Sequence, residues 1–283
     1  MHLSKLHGLG NDYLVADAID LPFEPSASRV ELLCDRHCGV GSDGLLLLLD
    51  EPTTQRGTRN AERAFALRIL NPDGSEAEKS GNGVRIFAKW LFDTGRATQT
   101  RFTIRTRGGS VPVELEVADG RARIVTANMG RPVFREDLPE LEVDGERLRV
   151  TALSIGNPHC IIVRDRLDRT DLLRLGPRIE RHPAFPNRTN VQLARPVSRE
   201  HVEALIWERG AGETLASGSS ACAVVAACRR LGMLDAAATV HMPGGELSIR
   251  LDDGGDVWMR GPVEEVAQIE LSPELVARLR DLP

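Results

Sequence analysis

The strongest constraint on this chain is an internal repeat. The stretch from Glu208 to Gly232 runs through a Gly-rich loop into a segment, Ala221 to Cys228, that has no charged residue. A helix apolar on nearly every face belongs inside a domain, and Gly232 supplies its stop. Asn71 to Gly95 carries the same object. Val84, Phe87, Ala88 and Leu91 keep helical spacing, and Ile86 and Trp90 widen the apolar face. Glu76 precedes Ser80 by four residues, as Glu213 precedes Ser217, and Gly95 follows Ser80 by fifteen, as Gly232 follows Ser217. A period near half the chain marks one structural unit used twice.

The flanking segments follow the same order. Gly10-Asn11-Asp12-Tyr13 aligns with Gly156-Asn157-Pro158-His159. Gly39 to Gly44 bends into the strand Leu45–Leu49, and Arg188 to Val191 leads into a strand likewise. Ala64 to Leu70 delivers Asn71, and Ala204 to Trp207 delivers Glu208. Glu51 to Arg63 is polar and reads as an exposed hairpin loop. Gly108-Gly109, Asp119-Gly120 and Gly244-Gly245 are hairpin signals. Ser272-Pro273 opens a short terminal amphipathic helix. The expected fold class is α+β: two pseudo-symmetric domains, each an antiparallel barrel-like sheet around a central buried helix. The expected division is 1–118 plus 264–283 for the first domain and 119–263 for the second, with the active site in the cleft between them.

Composition excludes several function classes. The 283 residues suffice for two domains. A formal charge of −5 with no long basic run argues against nucleic acid or an anionic membrane as partner. The longest apolar run, Leu45–Leu49, is far too short to span a bilayer, and the N-terminus has no apolar signal core. Lys5, Lys79 and Lys89 are the only lysines, which argues against a pyridoxal Schiff base. Cys34, Cys38, Cys160, Cys222 and Cys228 are odd in number and lack paired metal spacing. They read as reduced thiols of a cytoplasmic protein. No metal or organic cofactor is expected.

Two helix N-termini, each opened by small residues, suit an anionic group. Ser217, Gly218 and Ser219 sit at one, Ser80, Gly81 and Asn82 at the other. Asn11, Asn71, Asn157, Asn190, Glu208 and Arg209 are delivered at strand ends. Asn and Arg can hold a carboxylate, and Glu an ammonium. The set suggests an amino-acid site, with Asn71, Asn82, Gly218 and Ser219 towards the carboxylate and Asn157, Asn190, Glu208 and Arg209 at the far end. Asn also caps helices and turns for purely structural reasons.

The motifs His7-Gly8-Leu9-Gly10-Asn11-Asp12, Asp35 to Asp43, Asn71 to Glu76, Gly81-Asn82-Gly83, Gly156 to His159, Asn190-Val191 and Glu208 to Thr214 together resemble diaminopimelate epimerase and the wider group of cofactor-independent amino-acid racemases. The resemblance runs essentially end to end. It implies a cytoplasmic homodimer in lysine biosynthesis that epimerises L,L-diaminopimelate to the meso form, with a C-terminal segment returning to the first domain. It also implies a two-base mechanism in which two cysteines, each before a Gly at these helix N-termini, act from opposite faces. His159 and Glu208 match modulating positions beside them. This sequence departs at both bases, which are Ser80 and Ser217, and at Gly44, where some members place a substrate-touching Gln. A hydroxyl at about 15.7 against a thiol at about 8.5 leaves roughly 7 units. Serine therefore preserves shape and cripples proton abstraction. The alternatives are a divergent racemase or dehydratase on the same fold that uses serine, and a non-catalytic amino-acid binder.

Overall fold

The computed structural model describes residues 1–49 and 64–283; the hairpin loop expected at 51–63 lies outside the described residues. The chain divides into two compact units, Met1–Thr126 with Pro262–Pro283, and Ala127–Gly261. The first unit contains β1 (His2–Gly8), β2 (Asn11–Asp17), α1 (Ala27–Cys34), β3 (Leu45–Leu49), β4 (Ala64–Leu70), α2 (Gly81–Asp93), β5 (Arg101–Thr106) and β6 (Gly109–Ala118). The chain leaves it within β7 (Arg121–Gly130).

The second unit contains β8 (Val133–Phe134), β9 (Glu140–Val143), β10 (Glu146–Arg149), β11 (Thr151–Ser154), β12 (Pro158–Val163), α3 (Arg169–Glu180), β13 (Asn190–Pro196), β14 (His201–Glu208), β15 (Gly212–Thr214), α4 (Gly218–Arg230), β16 (Ala237–Met242), β17 (Gly245–Leu251) and β18 (Val257–Pro262). The chain then adds β19 (Glu264–Glu270) and α5 (Pro273–Asp281) to the first unit.

The repeat holds at the level of strand pairing. In the first unit β1 pairs antiparallel with β19 and with β2, β2 parallel with β3, β3 antiparallel with β4, β4 parallel with β5, and β5 antiparallel with β6. In the second, β11 pairs antiparallel with β8 and with β12, β12 parallel with β13, β13 antiparallel with β14, β14 parallel with β16, and β16 antiparallel with β17. The α+β class stands, but the sheets are mixed where antiparallel pairing was expected. The parallel pairs arise where a helix intervenes, because parallel neighbours need a crossover. α1 lies between β2 and β3, and α2 between β4 and β5; α3 and α4 do the same in the second unit.

α2 and α4 are the helices read from the sequence. Ser80 caps α2 by accepting the Gly83 N–H at 3.0 Å, and Ser217 caps α4 by accepting that of Ser220 at 3.4 Å. Residues 81–91 and 218–228 are buried. Gly95 and Gly232, both at φ 74°, end the two helices in the left-handed conformation that glycine adopts freely. Arg229 and Arg230 enter only in the last turn of α4, where cations suit the helix dipole.

A second helix in each unit covers another cluster. Val30, Leu33 and Cys34 of α1 pack with Leu14, Ala16, Leu45 and Leu47. Leu172, Leu175 and Ile179 of α3 pack with Cys160, Ile162, Val191 and Leu193. α3 was not legible in the sequence, because Gly176-Pro177 interrupts a strongly charged segment. Its glycine is explained by a close approach: a Cβ there would stand 2.6 Å from the Trp207 ring.

Candidate functional site

The N-terminus of α2 is fixed by β1 and β2. Asn11 opens β2 opposite Gly8. Its amide nitrogen donates to Asp43 Oδ2 at 2.9 Å, and its Oδ1 accepts from Asn82 Nδ2 at 3.0 Å. Asn82 Oδ1 in turn accepts from the buried Arg85 Nη2 at 3.0 Å. Asp43 also accepts from the Asp12 N–H, and Arg36 bridges Asp12 and Asp43 at 2.7 and 2.9 Å. Burial works against both carboxylates. At Asp12 the Arg36 and Lys5 cations outweigh it and hold the group below the usual range. At Asp43 burial and the Asp12 charge push it up.

Ser80 stands at the head of α2 with its Oγ in the cap. The same oxygen lies 3.3 Å from the Tyr13 hydroxyl. Tyr13 was not singled out in the sequence, although it aligns with His159 in the repeat. The Tyr13 ring also accounts for Gly44: a Cβ there would stand 2.7 Å from Tyr13 Cε1 and 2.5 Å from the Leu70 carbonyl oxygen, at φ 154°. Position 44 therefore contributes backbone and no side chain. Asn71 closes a local turn, its N–H on the Ser75 carbonyl at 2.8 Å and its amide on Ser75 Oγ at 2.9 Å. Glu76, four residues before Ser80, pairs with Arg68 at 3.2 Å.

The second unit repeats these contacts. Asn157 donates to Ser219 Oγ at 3.4 Å, which is the Asn11–Asn82 contact transposed to the repeat. Asn157 Oδ1 lies 2.8 Å from His159 Nε2, and Gln192 Nε2 lies 3.1 Å from His159 Nδ1. With Gln192 donating to Nδ1, the ring proton sits on Nε2 and is given to Asn157. His159 is fully buried, and burial pushes its pKa down to about 3; the Gln192 hydrogen bond opposes the shift and the Arg209 charge adds to it. A neutral imidazole therefore orients Asn157. Gln192, which the sequence reading missed, also donates to Ser220 Oγ at 2.9 Å.

Asn190 pairs in register with His159 and donates to the Pro158 carbonyl at 2.9 Å. Its Oδ1 accepts the Arg209 N–H at 2.9 Å, which places the turn after Glu208 at the end of β14. Arg209 also reaches the Asn187 carbonyl at 3.3 Å. Glu213, four residues before Ser217, pairs with Arg169 at 2.6 Å. Asn11 and Tyr13 thus meet the N-terminus of α2, and Asn157 and Gln192 that of α4, whereas Asn71, Asn190 and Arg209 make contacts with neighbouring turns. Gly81 and Gly218 occupy the first helical positions, where N–H groups lack intrahelical acceptors, and bring no side chain of their own. Among the described residues, no cluster of three or more His, Cys, Asp or Glu could hold a metal ion.

The family model described as diaminopimelate epimerase matches residues 3–135 and 151–266. A diaminopimelate epimerase from Pelotomaculum thermopropionicum is 41% identical over 280 residues, covering 94% of this chain and 97% of its own. A diaminopimelate epimerase 2 from Nostoc sp. is 41% identical over 290 residues, covering 98% of both chains. Among solved structures, a hydroxyproline epimerase from Agrobacterium vitis with bound trans-4-hydroxy-L-proline is similar at a TM-score of 0.72 and 15% identity, covering 96% of this chain and 90% of its own. A phenazine biosynthesis protein from Bacillus anthracis is similar at 0.68 and 16%, covering 96% and 99%. These two similarities show the shared fold.

Proposed function

Since this chain belongs to the diaminopimelate epimerase family, we propose that it binds diaminopimelate and acts on its α-carbon by the two-base route, with inversion of the L,L- to the meso-isomer slowed by serine at both base positions. The observation that carries this reading is the equivalence of Ser80 and Ser217. Each caps a buried 13-residue helix, and each lies two residues before the acceptor or donor of an equivalent Asn contact.

Inversion at a carbon requires one group that removes a proton from one face and another that delivers a proton to the opposite face. Ser80 and Ser217 occupy the places of those groups. Helix N-terminal N–H groups stabilise the charge that develops on the substrate carboxylate as the carbanion forms. They also favour an anionic Oγ, but the effect of a helix terminus, about 0.3–2 kcal/mol, is small against the roughly 10 kcal/mol that separates alkoxide from thiolate formation. Binding therefore survives while the chemical step suffers.

Glu208 and Arg209, side by side, fit the ammonium and carboxylate of a second amino-acid head. Isothermal titration calorimetry should show diaminopimelate binding that is lost in Arg209→Ala; equal binding of alanine would argue against a two-headed site. The same reading carries a cytoplasmic homodimer in lysine biosynthesis, which sedimentation of the purified chain tests at the level of assembly.

A further inference from the structure

We propose that Tyr13 is a positioning residue for proton transfer at Ser80, a phenol that exchanges the serine's hydroxyl proton while Ser80 Oγ exchanges the substrate's α-proton. This deepens the function reading above and rests on it. Three observations carry it. The Tyr13 hydroxyl lies 3.3 Å from Ser80 Oγ. Ser80 Oγ already accepts the Gly83 N–H at 3.0 Å, so its own proton is directed away from the helix. The Tyr13 ring is 6% exposed and pinned against Gly44, where a Cβ would stand 2.7 Å from Cε1. The 3.3 Å separation is long for an O–H···O bond, and the transfer needs it to close by a few tenths of an ångström, as catalytic contacts do when substrate binds.

The step balances. The tyrosinate oxygen accepts the Ser80 hydroxyl proton as Ser80 Oγ accepts the α-proton. The C–H bond breaks and its electron pair stays on the substrate, delocalised towards the carboxylate. The net change moves one proton from carbon to phenol, and exchange with solvent deuterons labels the substrate on return. An ordinary phenol titrates near about 10, so roughly one in a hundred is ionised at pH 8, against about one in 10⁷–10⁸ for an aliphatic hydroxyl. A phenol is therefore intrinsically far more available as an ionised proton acceptor than an aliphatic hydroxyl is as its own anion.

The elements around Tyr13 carry charges of both signs, among them Asp43, which precedes the Gly44 that the ring meets. α2 carries Arg85, bound to Asn82, and further on Lys89, paired with Asp93 at 2.7 Å. Lys79 directly precedes Ser80. β1 places Leu6 opposite Tyr13, β1 has no carboxylate, and β3 is five leucines. Asp12, with Lys5 and Arg36, belongs to the opposite face of β2 by strand alternation.

The second unit lacks this arrangement. The residue that aligns with Tyr13 is His159, whose two ring nitrogens are engaged by Asn157 and Gln192. Exchange is therefore expected on one face only. The protein should incorporate deuterium into whichever diaminopimelate stereoisomer presents its α-hydrogen to Ser80, with retention and little inversion.

The experiment measures deuterium incorporation and stereoisomer content in heavy water for the natural chain, Tyr13→Phe, Ser80→Cys, Tyr13→Phe with Ser80→Cys, and Ser80→Cys with Ser217→Cys. Phe keeps the ring and removes only the hydroxyl. The natural chain should exchange one stereoisomer at a rate that rises with pD, and Tyr13→Phe should lose about 10²-fold and that pD dependence. With Cys at position 80, the same Tyr13→Phe change should alter the rate less than about threefold, since the thiol needs no phenol. An equal loss in both backgrounds would make Tyr13 merely structural and overturn the proposal. A natural chain that exchanges nothing, while the double cysteine protein epimerises, would overturn the relay and leave the function reading standing. A double cysteine protein inert towards both stereoisomers would overturn the function reading and the relay with it.

Discussion

Ser80 and Ser217 define the chemistry of this chain by what a hydroxyl cannot do. Both oxygens sit where helix N–H groups hold them, at 3.0 and 3.4 Å. Replacing Ser80 alone with Cys regains one base and should do little for inversion, because the Ser217 face still lacks a competent donor or acceptor. Replacing both should raise epimerisation by several orders of magnitude, in line with a gap of roughly 10 kcal/mol per site. The gains should be strongly non-additive, as for groups acting as one unit. Stereoisomer analysis of the two single variants and the double decides this; a starting protein as fast as its double variant would refute it. Gly44 is the other residue with a sharp expectation. Gly44→Ala forces a Cβ to within 2.5 Å of a carbonyl oxygen at φ 154°. It should destabilise the first unit by about 2 kcal/mol or more, read as a lower urea midpoint with an unchanged slope.

At the scale of elements, α2 and α4 are held by burial and started by their serines. Ser80→Ala or Ser217→Ala removes the cap and should cost about 1 kcal/mol each. Ser217, whose cap bond is 0.4 Å longer than that of Ser80, should lose less (3.4 against 3.0 Å). Chemical denaturation of the two variants compares them directly, and no loss in either would show that burial alone sets these helix ends. Both helices were legible because their apolar runs, glycine stops and small-residue entries coincide. α3 was not, because its core residues Leu172, Leu175 and Ile179 are diluted by charge and broken by Gly176-Pro177. The proline lies near the C-terminal end of the helix, and the glycine is required by Trp207. Only the folded neighbour reveals that reason.

For the whole molecule, His159 sets a pH dependence. Its folded pKa is pushed down to about 3, below the ordinary value near 6.5, so between these two values the unfolded chain binds the extra proton. Stability therefore rises with pH across that window and is lost as pH falls from about 6.5 towards about 3, by a contribution on the order of 4 kcal/mol. His159→Gln removes this titration. Urea midpoints measured from pH 7 down to pH 4 should fall less steeply for the variant than for the natural chain; parallel profiles would count against a neutral buried imidazole.

The sequence by itself determined the repeat, the two buried helices with their serine entries, the Asn residues at strand ends and the kinship with the epimerases. Each is written in local spacing or in ordered motifs, and spacing survives without coordinates. The strand partners needed the fold. Parallel neighbours such as β2 and β3, or β12 and β13, are joined across helices, and no local signal distinguishes them from hairpins. The partners of the candidate side chains needed it as well. Tyr13 and Ser80 are 67 residues apart in sequence, and Gln192 and His159 are 33. Asn11, Asn157 and Asn190 could be named as polar residues beside glycine turns, but which group each one holds depends on strand register and helix docking. Hydrogen bonds between side chains distant in sequence are decided by that three-dimensional placement, since the residue types alone specify only donors and acceptors.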